Sequence, residues 1–358
     1  MRISILAPLV FGLSAGLAIA GCGGDATPPI RPPPPPEPPA QPAATSDTLE
    51  STPSPTPVAP KAKVEDLAIA TIKGLVEAFA ARDAKKVAER YTTDAVVTIY
   101  GEADVTGREA ITTDTQKWID GFGDLKLQVG RVVMKSDMAI VEWAFAGTHT
   151  GDYAGTKATQ RPLGAVAVSV VWFNSEGLVA KEHRMFDAAT LVAQDDKRAK
   201  PGSFRAPPPL PANLETHMSK GGADEEALVE TARKWHAAIA SKKEADALAL
   251  FTEDVVIEDA TQPRTFKGTA DAKLFFASLL KTLPDAKVIA TSFAADDLVA
   301  SEGEDTLTAK VGGRVVKIHF VTVLAIKNGK IAKAWRYTST KELQDQLHPP
   351  APPPKKKP

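Results

Sequence analysis

The sequence predicts an α+β protein with two domains, each with helices packed against one face of a curved antiparallel sheet. Three observations lead to this class. The chain has 358 residues, enough for two or three domains. Proline-rich stretches at 23–60 and 195–215 divide it. The two segments between and after them each pass from helical periodicity to strand alternation. The expected architecture is therefore two similar domains joined by a Pro-rich linker.

Charge and cysteine content exclude several function classes. The chain has 43 basic and 44 acidic residues, so it has no overall field to attract a polyanion, and nucleic acid is not an expected partner. A single cysteine cannot form an intramolecular disulfide. Histidines and carboxylates show no spacing typical of a metal site. We expect no metal and no cofactor.

The first residues have the pattern of an export signal. Met1 and Arg2 precede an apolar run at 3–20, and Ile-Ala-Gly-Cys follows at 19–22. This tetrapeptide resembles the lipobox of bacterial lipoproteins, which implies that Cys22 is acylated, palmitate being one such chain, and becomes the mature N-terminus. An ordinary cleaved secretory signal is the alternative. The resemblance implies a lipid anchor in the cell envelope, and Gly23 after the cysteine favours the outer membrane over the inner one.

The order of segments follows from composition. We expect a signal peptide at 1–21, a disordered Pro-rich stalk at 22–60, a linker at 195–222 and a disordered Pro/Lys tail at 348–358. Proline-rich segments cannot pack a core and favour extended backbone. The two remaining segments are the predicted folded parts, domain 1 at 61–194 and domain 2 at 223–347.

The two domains repeat each other weakly. YTTDAVV at 91–97 matches FTEDVVI at 251–257, so Asp94 and Asp254 are offset by 160 residues (254 minus 94). SEGLVAKEHR at 175–184 matches KNGKIAKAWR at 327–336. Because order and spacing are kept, the pattern indicates a duplication.

Within each copy the elements follow in the same order. Apolar residues at helical spacing begin each copy, followed by a shorter helix ending at Tyr91 or Phe251. Turn residues at 175–177 and 328–329 indicate hairpins before a last strand. Between these, domain 1 shows a strand at 95–100, then a helix containing Ile111 and Trp118. Three alternating stretches follow, at 125–134, 138–149 and 165–173.

The order of elements and several short motifs resemble SnoaL-like domains of the nuclear transport factor 2 superfamily. The motifs in domain 1 are DAVV, EW followed by GTHTG, GLVAKEHRMFD and AATLVAQ. In domain 2 the resemblance depends on FTEDVVI, NGKIAKAWRY and KELQDQL, and GTHTG is missing. It implies cone-shaped domains whose sheets wrap around the helices and leave a pocket. The superfamily includes cyclases and isomerases that use an acidic residue to shuttle a proton, and members without known activity.

The candidate catalytic residues lie on the last strand of domain 1. His183 and Asp187 share one face of it, whereas Glu182 and Arg184 share the other. An acid or base in an apolar cavity has a shifted pKa and can move a proton beside a carbonyl. The resemblance implies an acid near this strand end, where Asp187 fits. Asp187 also precedes AATLVA, so a helix cap is the alternative.

Aromatic residues and one histidine are the candidate ligand contacts. In EWAFAGTHTGDYAG at 142–155, alternation separates Glu142 from Trp143 and His149, so no acid–base pair is expected there. Arg184 and Arg336 recur in both copies; a pairing with Glu142 or Glu302 on a neighbouring strand would make them structural, and anion binding is the alternative. At the positions that match His183 and Asp187, domain 2 has Trp335 and Ser339. Its site is therefore predicted to be degenerate. The complete set of predicted ligand-binding residues is Tyr91, Trp118, Trp143, His149, Trp335 and Tyr337.

Three functions remain open. The first is an envelope lipoprotein whose domains bind a small, mostly apolar molecule. The second is a cyclase, isomerase or dehydratase using the acid or histidine of domain 1, so whether the protein is an enzyme is left open. The third is a structural or protein-interaction module. Since a tethered partner has a high effective concentration, we also expect a monomer whose domains pack as an internal pseudo-dimer.

Overall fold

The computed structural model describes residues 62–282, 285–308 and 313–348. The predicted signal peptide, Cys22, the stalk and nearly all of the tail lie outside the described residues. In the described part, no helix combines the length and the apolar character needed to cross a bilayer. The described residues belong to one compact unit.

Domain 1 contains four helices and six strands among its described residues. The helices are α1 (Val64–Ala80), α2 (Ala84–Ala88), α3 (Gly107–Gly121) and α4 (Ala188–Asp195). The strands are β1 (Tyr91–Ile99), β2 (Val105–Thr106), β3 (Lys126–Lys135), β4 (Met138–Thr148), β5 (Pro162–Phe173) and β6 (Val179–Phe186). Strands β3 to β6 form antiparallel hairpins, whereas β1 pairs parallel with β6. The sheet is therefore mixed, with order β2-β1-β6-β5-β4-β3.

Domain 2 repeats this plan after strand β7 (Glu215–Met218). Its helices are α5 (Ala223–Ala240), α6 (Glu244–Ala249), α7 (Gly268–Thr282) and α8 (Thr340–Leu347). Its strands are β8 (Phe251–Asp259), β9 (Phe266–Lys267), β10 (Lys287–Ala295), β11 (Leu298–Thr308), β12 (Val315–Lys327) and β13 (Lys330–Thr338). The strand order is β10-β11-β12-β13-β8-β9, and β8 pairs parallel with β13. The predicted α+β class is confirmed in both domains.

One glycine in each copy fixes the start of the third helix. Gly107 and Gly268 have φ values of 82° and 74°, which side-chain-bearing residues rarely adopt. A Cβ at Gly107 would also lie 3.3 Å from the carbonyl oxygen of Thr93. The glycine therefore lets the chain turn from a short strand directly into a helix over the sheet.

The segment expected to be an unpacked linker differs from the prediction. Its strand β7 pairs parallel with β3 and extends the sheet of domain 1. Gly130 leaves room for Pro211, because a Cβ there would lie 2.9 Å from the proline ring. Arg205 donates to the carbonyl oxygens of Gln262 and Asp259 in domain 2, while its own carbonyl accepts from Gln194. Prolines prevent a helix here but not docking onto a sheet edge.

Each sheet has two covered faces. One face packs against the helices of its own domain and forms two separate cores. The other faces form a third buried cluster with members from both domains, and in this cluster β3 lies near β10 and β6 near β13. Both faces of the sheets are apolar for this reason. Members of the shared cluster include Val133, Ile140, Val168, Met185, Ala300, Val321 and Val323.

Candidate functional site

Domain 1 contains a cavity between α1, α3 and the inner face of its sheet. The space open to the centre of a water-sized sphere is about 70 Å³, enough for several waters or a small molecule. Most of the wall is apolar, and polar side chains lie together at one part of it. The lining comprises Ile72, Leu75, Val76, Phe79, Tyr91, Asp114, Thr115, Trp118, Leu127, Val129, Val141, Trp143, Ser169, Val171, Phe173, Val179, Glu182 and Arg184.

The polar part of the wall is organised around Glu182. Its two carboxylate oxygens accept hydrogen bonds from the Tyr91 hydroxyl and the Ser169 hydroxyl, each at 2.7 Å. The Arg184 guanidinium donates to the same oxygens at 2.9 and 3.0 Å. The Trp143 indole N–H donates to Ser169 at 3.1 Å and completes the network. Glu182 thus has four donors and is only 5 % exposed.

The network holds Glu182 in its charged form. Burial by itself would raise the pKa of this carboxyl, but the charge and hydrogen bonds of Arg184, with those of Ser169 and Tyr91, lower it overall. Burial, together with the nearby Glu182 charge, raises the pKa of Tyr91. A carboxylate with a lowered pKa and four donors is a poor proton acceptor. Glu182 therefore positions Arg184 and Tyr91 rather than acting as a base.

Asp114 is the carboxylate with free hydrogen-bonding capacity at this cavity. It lies on α3, 3.5 Å from Nη1 of Arg184, and its side chain is 21 % exposed. That ion pair is its one hydrogen-bond or ion-pair contact within the described part of the chain. Sequence reasoning missed it, although a signal was present: Ile111, Asp114 and Trp118 share the core-facing stripe of one helix, where a carboxylate is unusual.

His183 lies on the opposite face of the strand from the cavity. It contacts Glu302 of domain 2 through Nδ1 at 2.5 Å, and the Tyr100 hydroxyl lies 3.1 Å from the same nitrogen. Sequence alternation separates the His183 and Glu182 faces, and the cavity described above lies on the Glu182 face. Both faces of this strand are covered, so polarity alone did not show which one meets the helices.

Asp187 caps helices instead of lining the cavity. Its carboxylate accepts from the backbone N–H of Thr190 at 3.1 Å and from the Thr190 hydroxyl at 2.7 Å, which caps α4. Its other oxygen accepts from the backbone N–H of Thr340, at the start of α8 in domain 2. The carboxylate is 4 % exposed, and these contacts account for its burial.

The other predicted ligand contacts divide into two groups. Tyr91, Trp118 and Trp143 line the cavity of domain 1. His149 does not; it is buried, with Nδ1 at 3.2 Å from both Thr159 and Asp195. Trp335 lies against the Arg131 guanidinium across the domain boundary, 3.9 Å from the ring centroid.

The expected pairing of arginines with Glu142 or Glu302 is wrong. The Tyr337 hydroxyl donates to Glu142 at 2.6 Å, and Glu142 also pairs with Arg131 of the adjacent strand. Arg184 instead pairs with Glu182 and Asp114 on the inner face. Strand β5 lies between β4, which carries Glu142, and β6, which carries Arg184, and the two side chains lie on opposite faces of the sheet.

In one cross-strand pair, the large and the small residue exchange strands between domain 1 and domain 2. Trp143 is paired with Ala167 in domain 1, and the corresponding pair in domain 2 is Gly303 with Phe320. A Cβ at Gly303 would collide with the ring of Phe320. The aromatic ring thus comes from the neighbouring strand. The interior of domain 2 is therefore not a smaller copy of that of domain 1.

A second cavity in domain 2 lies between α7, α8 and the sheet. The space open to the centre of a water-sized sphere is about 160 Å³. Arg336 forms ion pairs with Asp259 at 3.1 Å and Asp305 at 3.7 Å beside it. Within the described residues, no group of three histidine, cysteine or acidic side chains is arranged to hold a metal ion.

Comparison with solved structures found similar chains that cover about a third of this one. A candidate SnoaL-like polyketide cyclase from Jannaschia sp. CCS1 is 16 % identical, with a TM-score of 0.35, and the match covers 40 % of this chain and 98 % of that one. IdmH, a candidate polyketide cyclase from Streptomyces antibioticus, is 25 % identical over 36 % of this chain and 96 % of its own, with a TM-score of 0.32. Curated proteins gave no match.

Family models match both domains. The model described as SnoaL-like polyketide cyclase matches residues 70–195, and the model described as SnoaL-like domain matches residues 232–334. The matched ranges cover the helices and mixed sheets described above, which agree with the cone fold of nuclear transport factor 2-like proteins. The chain therefore contains two SnoaL-like domains in tandem.

Proposed function

We propose that domain 1 binds a small, mostly apolar and uncharged molecule whose one polar group contacts Asp114 and Arg184. The observation that carries this proposal is the wall of the cavity. It is apolar except at one ion cluster, whose central carboxylate is saturated and whose outer members line the cavity. Small-molecule sites commonly combine an apolar wall with a few converging polar groups.

The charge of the cluster selects the ligand's polar group. Glu182 and Asp114 together with Arg184 sum to one net negative charge, which disfavours a carboxylate or phosphate ligand. A hydroxyl suits both outer members, since it donates to Asp114 and accepts from Arg184. A phenol or alcohol on an apolar body is the chemistry that fits.

Binding is tested with 4-methylphenol and methyl-labelled isoleucine and leucine in the full chain. We expect saturable shifts at Ile72, Leu75 and Leu127, and Asp114→Asn weakens binding about tenfold through loss of a charge-assisted hydrogen bond. The matched control is Asp120→Asn, an exposed carboxylate on the same helix, which leaves the affinity unchanged. Absence of saturable shifts at these methyls, or equal effects of both variants, contradicts the proposal.

The second candidate function is a proton-transfer enzyme, and the position of Asp114 favours it. It is a carboxylate beside an apolar cavity with one ion-pair partner at 3.5 Å, which leaves an oxygen able to take a proton. The cyclase, isomerase or dehydratase alternative therefore moves from Asp187 and His183 to Asp114. Deuterium exchange at the α-carbon of cyclohexanone in D₂O, followed by NMR, tests it. Exchange that is faster than in buffer alone, and that Asp114→Asn abolishes, supports an enzyme. Exchange at the rate of buffer alone contradicts the enzyme and leaves ligand binding as the function.

The protein-interaction alternative has less support. It requires an open sheet face, but the outer faces of both sheets contribute to the cluster shared between the domains. We propose that this contact is the internal pseudo-dimer of a monomeric protein. Light scattering on the full chain in detergent tests this; a stable homodimer contradicts it.

We further propose that Cys22 anchors the protein in the cell envelope by lipidation, on the strength of its place after Ile-Ala-Gly. Membrane fractionation of Cys22→Ser is the test. We expect the variant to be released from the membrane or to retain its uncleaved signal peptide. Identical partitioning of variant and parent, with an unmodified N-terminus, contradicts the anchor.

A further inference from the structure

Domain 2 has a cavity that differs in place and chemistry from that of domain 1. Its space is about 160 Å³ against about 70 Å³ for domain 1. Exposed Ser278 lies at its rim, and half-buried Arg336 and buried Asp259 line its interior. The apolar part of the wall consists of Phe266, Phe275, Leu279, Ile318 and Leu343, and the polar part of Asp259, Thr261, Gln262, Ser278, Arg336, Thr338, Ser339 and Thr340.

The position of this cavity follows from two substitutions between the copies. Phe320 occupies the interior from β12, and Gly303 makes room for it. His236 is buried on α5 beside Phe320, with ring centroids 5.4 Å apart. These rings fill space near α5, whereas the cavity of about 160 Å³ is lined by residues of α7 and α8. The cavity of domain 2 therefore lies in a different place from that of domain 1.

The polar groups around Arg336 are partly satisfied. One oxygen of Asp259 accepts from the backbone N–H of Thr261 at 2.9 Å and from its hydroxyl at 2.6 Å, while the other accepts from Arg336 at 3.1 Å. That second oxygen keeps one lone-pair site. Arg336 has five N–H groups, and its two ion pairs leave others for a ligand. The Thr338 hydroxyl has no hydrogen-bond partner among the residues that the structure describes.

From these groups we propose that domain 2 binds a small uncharged molecule with adjacent hydroxyls on an apolar carbon frame, such as a polyol or a sugar-like ring. One hydroxyl accepts from Arg336 and donates to Asp259, and its neighbour bonds to Thr338. The carbon frame packs on Phe266 and Phe275. This site is independent of the one proposed for domain 1.

The charges select against anions here too. Asp259 and Asp305 beside the single positive charge of Arg336 leave one net negative charge in a poorly solvated place. Phosphate and carboxylate ligands are therefore disfavoured. Hydroxyls, which both donate and accept, match the mixed set of donors and acceptors.

The test uses cis-1,2-cyclohexanediol and, as a matched probe with one hydroxyl, cyclohexanol. In the methyl-labelled full chain, the diol should shift Ile318, Leu279 and Leu343 with saturation, and cyclohexanol should bind about tenfold more weakly for want of the second hydroxyl. Thr338→Val keeps the shape but removes the hydroxyl, so it should reduce diol affinity to that of cyclohexanol. The labelled methyls that line the cavity of domain 1 report separately on the site proposed there.

The control variant is Thr322→Val. Thr322 is also a buried threonine on the inner face of the sheet, and its hydroxyl has no partner in the described part of the chain, but it does not line the cavity. It should leave diol binding unchanged. No saturable shift at the three methyls, equal binding of both probes, or equal effects of the two variants overturns the proposal. Saturable shifts of the same methyls by inorganic phosphate overturn both the proposal and the argument that the site disfavours anions.

Discussion

Replacing Asp305 by asparagine should change the pH dependence of stability in a predictable direction. Asp305 lies on the inner face of β11, is 3 % exposed, and is 3.7 Å from Nη2 of Arg336. Burial raises its pKa to about 6; Arg336 opposes the rise and neighbouring Glu304 adds to it. The charged form is therefore less stable in the folded protein than in the unfolded chain.

The sign and size follow from proton linkage. The ordinary value is 3.8, so between about pH 4 and pH 6 the folded state binds more protons at Asp305 than the unfolded state does. Stability contributed by this residue is present below that window and is lost as pH rises through it. A shift from 3.8 to about 6 corresponds to about 3 kcal/mol of unfolding free energy.

Asparagine cannot ionise, so the variant avoids this loss. Relative to the parent, Asp305→Asn should gain about 2.5 kcal/mol in unfolding free energy between pH 4 and pH 7.5, because the carboxyl of the unfolded parent is already partly ionised at pH 4. Urea denaturation at several pH values measures this difference. Titration of His236 in the same range cancels, because both proteins contain it. Asp254→Asn, an exposed carboxylate in the same domain, should show no such trend. A difference that stays constant with pH, or changes in the opposite direction, would refute the reasoning.

The remaining predictions concern buried groups elsewhere. Tyr337→Phe removes a 2.6 Å hydrogen bond to buried Glu142 and should cost about 1.5–3 kcal/mol in urea denaturation; an unchanged midpoint would mean that the bond does not form. Neither ring nitrogen of His236 has a hydrogen-bond partner among the described residues, and burial lowers its pKa to about 4, so the parent loses stability as pH falls from 6.5 to 4. His236→Leu should remove that loss and stabilise the protein by about 1 kcal/mol at pH 7, and a variant less stable than the parent at both pH values contradicts this. Gly303→Ala forces a methyl against the Ile289 carbonyl oxygen and the Phe320 ring and should cost about 1–3 kcal/mol by thermal unfolding, whereas a neutral result would mean that β11 is not packed this closely at Gly303.

Much of the fold could be predicted because it depends on local patterns. Strand alternation and hairpin turns gave the order of elements, and the 160-residue offset between Asp94 and Asp254 revealed the repeat. The parallel pairing of β1 with β6 had no local signal, since nothing within either strand shows its neighbour. The docking of 195–222 was missed for a similar reason. Its strand β7 is short and is stabilised by the exposed edge of β3, a surface that exists only after the sheet has formed.

For the site, sequence alone placed three aromatic residues and the division of β6 into two faces, with His183 and Glu182 on opposite sides. Tertiary structure decided which face meets the helices, because both are covered: one by α1 and α3, the other by domain 2. It also brought Asp114, from another element, to Arg184. Periodicity determines which residues share a face, whereas the contents of a cavity depend on which elements close around it, and that is set by packing between segments distant in the chain.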